Sequence, residues 1–261
     1  MNETTKLHTE LTRDWIYPDW PAHKNVRAVV TTRSTSFFQN GYSGFNLAEH
    51  VGDDNEKVRR HRGQLTEQLN LPRKNLCWLQ QVHGQQIVSA DDVLKNPLYV
   101  PQADGCETSM TNLACIVMTA DCLPVLLCNL EGTKVAAIHA GWRGLANGIL
   151  NDAVNRFSHP QQVIAWLGPA ISQKNFEVGA DVFQTFCDAS PLNKTAFIQK
   201  NATPNKWFAD IYQLAKIQLQ SAGVTQIYGG DFCTFDDQQR FYSYRRDGNK
   251  SGRMASIIYL T

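Results

Sequence analysis

Three apolar runs in close succession constrain the fold of this chain more than any other feature. They are LACIVMTA (113–120), LPVLLCN (123–129) and KVAAIHA (134–140). Such runs are typical of strands, and only LEGT (130–133) separates the second run from the third. A two-residue turn at Glu131-Gly132, with the glycine at a positive φ, would join them. The sequence therefore predicts a hairpin of two apolar strands.

Much of the remaining chain alternates between strand and helix patterns. Strands are predicted over 25–33, 76–82, 86–90, 163–168, 240–246 and 254–260, and helices over 51–70, 144–157, 178–188 and 207–223. Asp53 and Glu56 have the spacing of a capping box, and Gly223 is expected to end the last helix. Strands joined by hairpins, with helices interspersed, indicate an α+β fold with a mixed sheet.

The chain is expected to form one domain behind a short arm. Pro18 and Pro21 block regular structure near the start, so residues 1–25 are predicted to be an N-terminal arm. Residues 26–261 then form a single domain. With 261 residues, of which 43% are hydrophobic, the chain is long enough to bury a sizeable core.

Charge and hydropathy exclude two classes of partner. The formal net charge is +1 and arginines form only short clusters, so no nucleic-acid partner is expected. No apolar stretch approaches the ~18 residues of a membrane helix, and the polar N-terminus lacks the apolar core of a secretory signal. The seven cysteines are irregularly spaced without a C-x-x-C pair, which indicates reduced thiols. The expected location is the cytoplasm, and the oligomeric state stays open.

The predicted hairpin brings a cysteine and a histidine toward each other. With a two-residue turn, Cys122 lies opposite Gly141, and His139 points to the same face two residues away. Their side chains are then diagonal neighbours roughly 7 Å apart, which suits a shared metal ion or a Cys–His pair. A three-residue turn would place them on opposite faces. On spacing alone, the commoner interpretation is a core cysteine and a hydrogen-bonded histidine.

The flanking residues favour a reaction centre. Asp121 directly precedes Cys122, which is unusual for a pure core position. After His139, the segment AGWRG leads into a helix predicted to begin near Gly144. The free N–H groups of that helix, together with Arg143, would attract an anion, although Arg143 is equally well explained as a solvated side chain.

A third ligand would make this corner a catalytic metal site. Catalytic zinc takes three protein ligands and keeps an open position. His83, in LQQVHGQQ, closes a predicted strand and is the natural third candidate. His50 is a further possibility. Taken alone, His83 is more often a partly exposed histidine.

A series of short motifs spans residues 26–260. They are TTR (31–33), FNLAEHVGDD (45–54), QQVHG (80–84), ADG (103–105), TADCLPVLL (119–127), AAIHAGWRG (136–144), GPAI (168–171), FEVG (176–179) and FYSYRRDGNKSGRMA (241–255). In this order they resemble the YfiH family, also called the laccase-domain or peptidoglycan-editing-factor family. The resemblance implies a zinc site of His83, Cys122 and His139. It also implies a layered mixed-sheet sandwich of the YfiH-like cysteine-hydrolase type.

The same resemblance implies purine nucleoside chemistry. The expected reactions are phosphorolysis of adenosine, inosine, guanosine and S-methyl-5′-thioadenosine, and deamination of adenosine, with nucleosides and phosphate as partners. Zinc on two imidazoles and a thiolate can activate water for attack on C6 of adenine. Asp104 or Asp121 would shuttle protons, unless each is a turn or cap residue. Arg33, Arg143 and Arg245 are the candidate phosphate-binding residues, unless they are simply solvated.

Other functions make different demands on the residues. A multicopper oxidase needs about ten histidines, many in His-x-His pairs, whereas this chain has seven histidines and no such pair. Copper in an open site stays possible but disfavoured. An amide hydrolase acting on a cell-wall precursor would use Cys122 as a nucleophile and His139 as its base. A non-catalytic zinc module is the third alternative, which the open ligand position disfavours.

Overall fold

Two β-sheets stacked face to face dominate a computed structural model that describes residues 14–33, 40–96, 98–199 and 203–261. The strands are β1 (Val26–Val30), β2 (Leu76–Cys77), β3 (Ile87–Ser89), β4 (Gly105–Thr108), β5 (Ala114–Thr119), β6 (Leu123–Asn129), β7 (Val135–Ala140), β8 (Val163–Leu167), β9 (Glu177–Gly179), β10 (Phe197–Gln199), β11 (Lys206–Ala209), β12 (Gln226–Gly229) and β13 (Met254–Leu260). The α-helices are α1 (Asn55–Leu69), α2 (Ala90–Leu94), α3 (Trp142–Ala146), α4 (Ile149–Val154), α5 (Ala180–Ala189), α6 (Ile211–Ser221) and α7 (Tyr244–Asp247). Short 3-10 helices occupy Arg73–Asn75, Pro160–Gln162, Gln173–Asn175, Pro191–Ala196 and Gly248–Lys250.

The two stacked sheets are covered by helices on their outer faces. Strand order is β1-β13-β5-β2 in one sheet and β12-β8-β6-β7-β4-β3 in the other, while β10-β11-β9 form a third sheet. Val117 of β5 and Leu126 of β6 lie in the core between the stacked sheets. Their neighbours face outward, Ile116 toward α1 and Val125 toward α3 to α6. Both faces of β5 and β6 are therefore buried, which explains their uninterrupted apolar runs.

The predicted hairpin is β6 and β7, at the centre of the six-stranded sheet. Its register is as predicted, because Leu123 pairs with Ala140 and Pro124 with His139. The turn differs in detail: the Gly132 amide donates to the carbonyl of Asn129 at 3.0 Å, so the turn begins one residue earlier and residues 130–133 form the connecting loop. Gly132 has the expected positive φ, at 63°. Loops of two and four residues conserve the same facing of side chains, so Cys122 and His139 share one face.

Helix α1 begins at a different cap from the one predicted. The Asp54 carboxylate accepts a hydrogen bond from the Lys57 amide at 3.0 Å and is the N-cap. Asp53, the predicted cap, instead accepts from the Asn46 side chain at 3.0 Å and pairs with the Lys57 ammonium at 3.3 Å. The prediction for Gly223 is confirmed, since it follows α6 with φ 93°.

The strand predicted over 240–246 is wrong. The aromatic residues that suggested it, Phe241 and Tyr242, are fully buried, but in a loop rather than in a ladder. The Ser243 hydroxyl then accepts from the Arg246 amide at 3.2 Å and caps α7. A local side-chain cap thus replaces the sheet pairing that the aromatic content favours.

Other predicted elements are shorter or divided. Of the strand predicted over 76–82, only Leu76–Cys77 forms a strand, β2. The helix predicted over 144–157 is divided into two helices, α3 and α4, by Gly148, which has φ 89°. The helices over 178–188 and 207–223 each start with residues of a strand, β9 and β11, before the helix begins. These two strands pair with each other, a long-range contact that local periodicity does not reveal.

The described part of the predicted arm, residues 14–25, packs on the sheet. Trp15 is buried against Phe45 of the outer core, and Ile16 forms a β-bridge with Val30. Residues 1–13 of the arm lie outside the described residues.

The expected α+β single-domain fold with mixed sheets is confirmed. Parallel pairs, β8 with β12 and β3 with β4, occur in the same sheet as the antiparallel hairpin. Among the described residues, none of the helices combines the length and apolarity needed to cross a bilayer. The relation to cysteine hydrolases stays a prediction.

The cap of α1 gives a direct test of the fold. Asp54→Ala removes the acceptor of the Lys57 amide, and we expect the free energy of unfolding to fall by about 1 kcal/mol in a denaturant titration. Glu56→Ala removes the other residue of the predicted capping box, which only forms an exposed pair with Arg59. Its expected loss is at most about 0.5 kcal/mol. A larger loss for Glu56→Ala than for Asp54→Ala would contradict this assignment.

Candidate functional site

Three separate segments place His83, Cys122 and His139 in one cluster. His83 lies in the loop between β2 and β3, Cys122 between β5 and β6, and His139 in β7. Their ligand-type atoms, imidazole nitrogens and a thiol sulfur, lie within 4.8 Å of one another. The two imidazole rings meet edge to face with centroids 4.8 Å apart. The cluster is the kind of donor set that holds a metal ion.

Left-handed backbone conformations aim two of these segments at the cluster. His83 has φ 59° and Asp121, next to Cys122, has φ 94°. Non-glycine residues adopt such angles only where the surroundings hold them. The Asp121 carboxylate accepts from the hydroxyls of Thr234, at 2.6 Å, and Ser243, at 3.0 Å, and from the Arg245 amide at 2.7 Å. These bonds hold the corner that presents the cysteine.

Asp104 joins the other two segments. Its Oδ1 accepts from the His83 amide at 2.9 Å and lies 2.8 Å from His139 Nδ1, while Oδ2 accepts from the amides of Gly84 at 2.7 Å and Val82 at 3.2 Å. Because the carboxylate accepts, Nδ1 of His139 carries a proton, and Nε2 is the ring nitrogen left to bind a metal. Asp104 is fully buried, and it fixes both the loop and the ring orientation, as carboxylates behind metal-binding histidines do.

Gly141 leaves room for the cluster. A Cβ at this position would lie 3.1 Å from the His83 ring, 3.2 Å from the Cys122 sulfur and 3.7 Å from the His139 ring. All three side chains therefore converge over one point of backbone. A side chain there would crowd the atoms that face each other.

Cys122 and His139 favour each other's charged forms. Burial alone would raise the pKa of Cys122 and lower that of His139, but the attraction between thiolate and imidazolium outweighs burial. The pKa of Cys122 falls to about 6 and that of His139 rises to about 9. His83 further favours the thiolate, and Asp104 further favours the charged imidazole. Without a metal, the pair is therefore a thiolate and an imidazolium near pH 7.

The cluster opens into a cavity of about 420 Å³. Much of its wall is apolar or aromatic, formed by Met118, Trp142, Ile171, Phe176, Ile211 and Tyr244. Polar side chains from His50, Gln81, Arg245 and Arg253 complete it. Such a cavity suits a flat, largely apolar ligand held by a few polar groups.

The three predicted phosphate-binding arginines lie in different places. Arg33 is fully buried outside the cavity wall, where it donates to the carbonyls of Asn40 and Ser43. Arg143 is exposed over the Trp142 ring, 4.5 Å from its centroid, and is also absent from the wall. Arg245 does line the cavity.

The helix behind the predicted anion corner starts earlier than expected. Helix α3 begins at Trp142 rather than near Gly144 and has five residues. It brings the Trp142 ring into the cavity wall, while the adjacent Arg143 is exposed and does not line the cavity.

Sequence reasoning did not single out Arg253. This residue directly precedes β13, whose Met254 pairs with Thr119 at the end of β5. The pairing places Arg253 beside the segment that carries Cys122. The available signal was the motif FYSYRRDGNKSGRMA, in which Arg253 was not distinguished from the neighbouring arginines.

Comparisons with known proteins agree on one family. The family model described as multi-copper polyphenol oxidoreductase laccase matches residues 27–261. A Pseudomonas aeruginosa protein named purine nucleoside phosphorylase is 47% identical over 247 residues, covering 94% of this chain and 98% of the relative. The Escherichia coli purine nucleoside phosphorylase YfiH is 45% identical over 249 residues, with the same coverage of 94% and 98%.

Solved structures agree with the sequence relatives. A Neisseria meningitidis protein of the DUF152 family superposes with a TM-score of 0.87 at 45% identity, covering 95% of this chain and 99% of that one. YlmD from Geobacillus stearothermophilus superposes with a TM-score of 0.81 at 28% identity, with 91% and 92% covered.

The role of Asp104 can be tested by its amide analogue. In Asp104→Asn, an NH2 group must face one pair of the four N–H groups that now donate to the carboxylate. We expect the affinity for Zn²⁺ to fall by about 10- to 100-fold, measured by competition with a chelator. Glu107→Gln is the control, because Glu107 lies in β4, the strand that Asp104 directly precedes, but pairs with Lys134. Equal zinc affinities in Asp104→Asn and Glu107→Gln would rule out the positioning role.

Proposed function

Because the chain belongs to the multi-copper polyphenol oxidoreductase laccase family, in which close relatives are named purine nucleoside phosphorylases, we propose that it cleaves purine nucleosides with phosphate at a zinc site. The observation that carries the proposal is the His83–Cys122–His139 cluster at the wall of a cavity of about 420 Å³. The substrates in this proposal are adenosine, inosine, guanosine and S-methyl-5′-thioadenosine, and adenosine is also deaminated.

The donor set supports zinc as the metal. Two imidazoles and one thiolate are borderline-soft ligands, and three protein ligands leave a position open. The second ring nitrogen of His139 is held by Asp104, as in other zinc sites. Bound zinc would supply a Lewis acid and an activated water.

Copper chemistry of the laccase type has less support. A multicopper oxidase needs several metal sites, whereas the described residues hold a single His/Cys/Asp/Glu cluster of metal-binding geometry. The cluster combines its thiolate with two imidazoles, so copper binding in vitro is compatible with it. In our proposal copper is not the working metal.

The remaining residues of the site bind and orient the substrate. The Phe176 and Trp142 rings line the cavity and suit the flat face of a purine. In this proposal Asp104 and Asp121 are positioning residues, because their carboxylate oxygens already accept from neighbouring donors. The reduced state of the cysteines fits a reaction in the cytoplasm.

A second candidate function is amide hydrolysis. Asp104, His139 and Cys122 stand in the order acid, base and nucleophile, and the low pKa of Cys122, about 6, belongs to an activated thiol. The two functions compete for one sulfur, because a thiolate that binds zinc is a poor free nucleophile. A metal-free protein would be the active form of the hydrolase.

The proposed reaction predicts strict dependence on phosphate. Purified zinc-loaded protein should release adenine from adenosine when phosphate is present, with ribose 1-phosphate as the second product, measured by chromatography. Omitting phosphate should abolish base release and leave only deamination to inosine. Absence of base release, together with amide cleavage that iodoacetamide blocks, would replace the phosphorylase with the hydrolase.

The proposed ligands predict loss of zinc. His83→Ala, Cys122→Ala and His139→Ala should each reduce bound zinc from about one ion per chain toward zero, because two remaining ligands hold the metal weakly. Elemental analysis measures the metal content. His61→Ala is the matched control, since this histidine hydrogen-bonds to the Asn46 carbonyl away from the cluster. Full zinc occupancy in all three ligand variants would refute the assignment.

A further inference from the structure

Arg253 is the arginine of the cavity wall that makes its side-chain hydrogen bonds from a single nitrogen. Its Nη1 donates to the carbonyls of Ser251 at 2.6 Å and Gly252 at 2.9 Å. Its Nε and Nη2 make no hydrogen bond to any described residue, and neither atom is sealed from solvent. The backbone carbonyls therefore hold the guanidinium in place while leaving an edge of it available to the cavity.

The other buried or half-buried arginines in the described ranges have a carboxylate partner. Arg33 and Arg246 lie 3.8 Å and 2.9 Å from Asp247, and Arg62 lies 3.3 Å from Glu49. Arg253 is also withdrawn from solvent, but it has no carboxylate within ion-pair distance among the described residues. A partly buried cation without a carboxylate partner is costly, so the uptake of an anion at this place would be favourable.

The groups around Arg253 do not supply that anion. Asp121 and Cys122 are close enough to act on its charge. The carboxylate of Asp121 already accepts three hydrogen bonds and does not pair with the guanidinium, and the thiolate of Cys122 belongs to the candidate metal cluster. His50 and the Tyr244 ring, the latter 5.9 Å from the guanidinium carbon, also line this part of the cavity. Neither carries a negative charge near neutral pH.

Arg245, the second cation of the wall, is already engaged. Its guanidinium lies over the Phe176 ring and donates to the carbonyls of Asn175 at 3.4 Å and Glu177 at 3.1 Å. Its side chain is also exposed to water, which screens its charge. Of the two arginines in the cavity wall, Arg253 therefore offers an anion the better-placed pair of donors, Nε and Nη2 of its guanidinium.

We propose that Arg253 forms the phosphate subsite, binding orthophosphate through the free edge of its guanidinium. The inference rests on the proposed phosphorylase function and assigns its second substrate to a residue. A phosphate oxygen bonds to C1′ of the ribose while the C1′–N9 bond breaks and its electron pair passes to the purine. The proton of HPO4²⁻ ends on the released base, so the products are ribose 1-phosphate and the free purine.

Kinetics of the zinc-loaded enzyme test this assignment. Arg253→Gln removes the charge and the fork, and we expect KM for phosphate to rise about 10- to 100-fold. KM for adenosine and the zinc content should stay within about twofold of wild type. Arg253→Lys, which keeps the charge without the fork, should give an intermediate KM. Arg59→Gln, exposed on α1, is the control and should match wild type.

A binding measurement separates this proposal from the proposed function. Inorganic phosphate should raise the Tm of the zinc-loaded wild type and of Arg59→Gln over potassium chloride of equal ionic strength, but not the Tm of Arg253→Gln. Wild type that binds phosphate without releasing adenine would contradict the phosphorylase and leave the subsite standing. Unchanged phosphate KM and unchanged Tm response in Arg253→Gln would overturn the subsite. If Arg253→Gln fails to fold, the same comparison is made with Arg253→Lys.

A nucleotide phosphate is the other source of the same chemistry. AMP is therefore tested as an inhibitor of adenosine phosphorolysis. The proposal expects AMP to compete weakly in wild type and equally weakly in Arg253→Gln. Strong inhibition by AMP that Arg253→Gln relieves, with KM for phosphate unchanged, would assign Arg253 to a 5′-phosphate and overturn the orthophosphate subsite.

Discussion

The carboxylate of Asp104 is the interaction on which the site depends. One buried anion with four donors ties the His83 loop to the strand that carries His139. The donors offset the cost of removing a charge from water, and they remove any freedom of the carboxylate to rotate. The sheet thus provides rigidity, and a single side chain transfers that rigidity to a loop with a left-handed residue at its tip. Asp121 does the same for the corner beside Cys122.

The stacked sheets explain why the carboxylates of Asp104 and Asp121 are enough to hold the site segments in place. Strands β5, β6 and β7 are buried on both faces, so their ends have little room to move. Cys122 lies where the chain passes from one sheet to the other, between β5 and β6, and Arg253 precedes the strand that pairs with β5. The candidate metal cluster and the proposed phosphate subsite therefore lie along one rigid border, and most of the apolar wall, apart from Met118 of β5, comes from other segments. Such a division suits a substrate whose base, sugar and phosphate differ in polarity.

Local patterns could predict the parts of the site that lie on the hairpin. The two apolar runs, with an assumed two-residue turn between them, placed Cys122 and His139 on one face, and the position of His83 at the end of a predicted strand, together with the family motifs, added the third residue. The roles of the charged residues could not be predicted in this way. Arg33 and Arg143 have neighbours that resemble those of Arg245, but only the tertiary fold decides that Arg33 closes a loop, that Arg143 faces water and that Arg253 faces the cavity. The strand predicted over 240–246 failed for the same reason, because a cap at Ser243 and a bond to Asp121 override aromatic strand propensity.

The length of the loop between β6 and β7 is constrained, although this loop lies at the opposite end of the hairpin from the cluster. Residues 130–133 touch nothing in the cluster; Leu130, Glu131 and Thr133 are exposed, whereas Gly132 has a positive φ and packs against His23. The number of residues in this loop is constrained. Adding or removing one residue would turn His139 to the other face of the sheet and leave Asp104 buried without the His139 ring as its partner. Insertions tolerated here should come in pairs of residues, so the length of a surface loop is under selection for chemistry performed at the opposite end of the sheet.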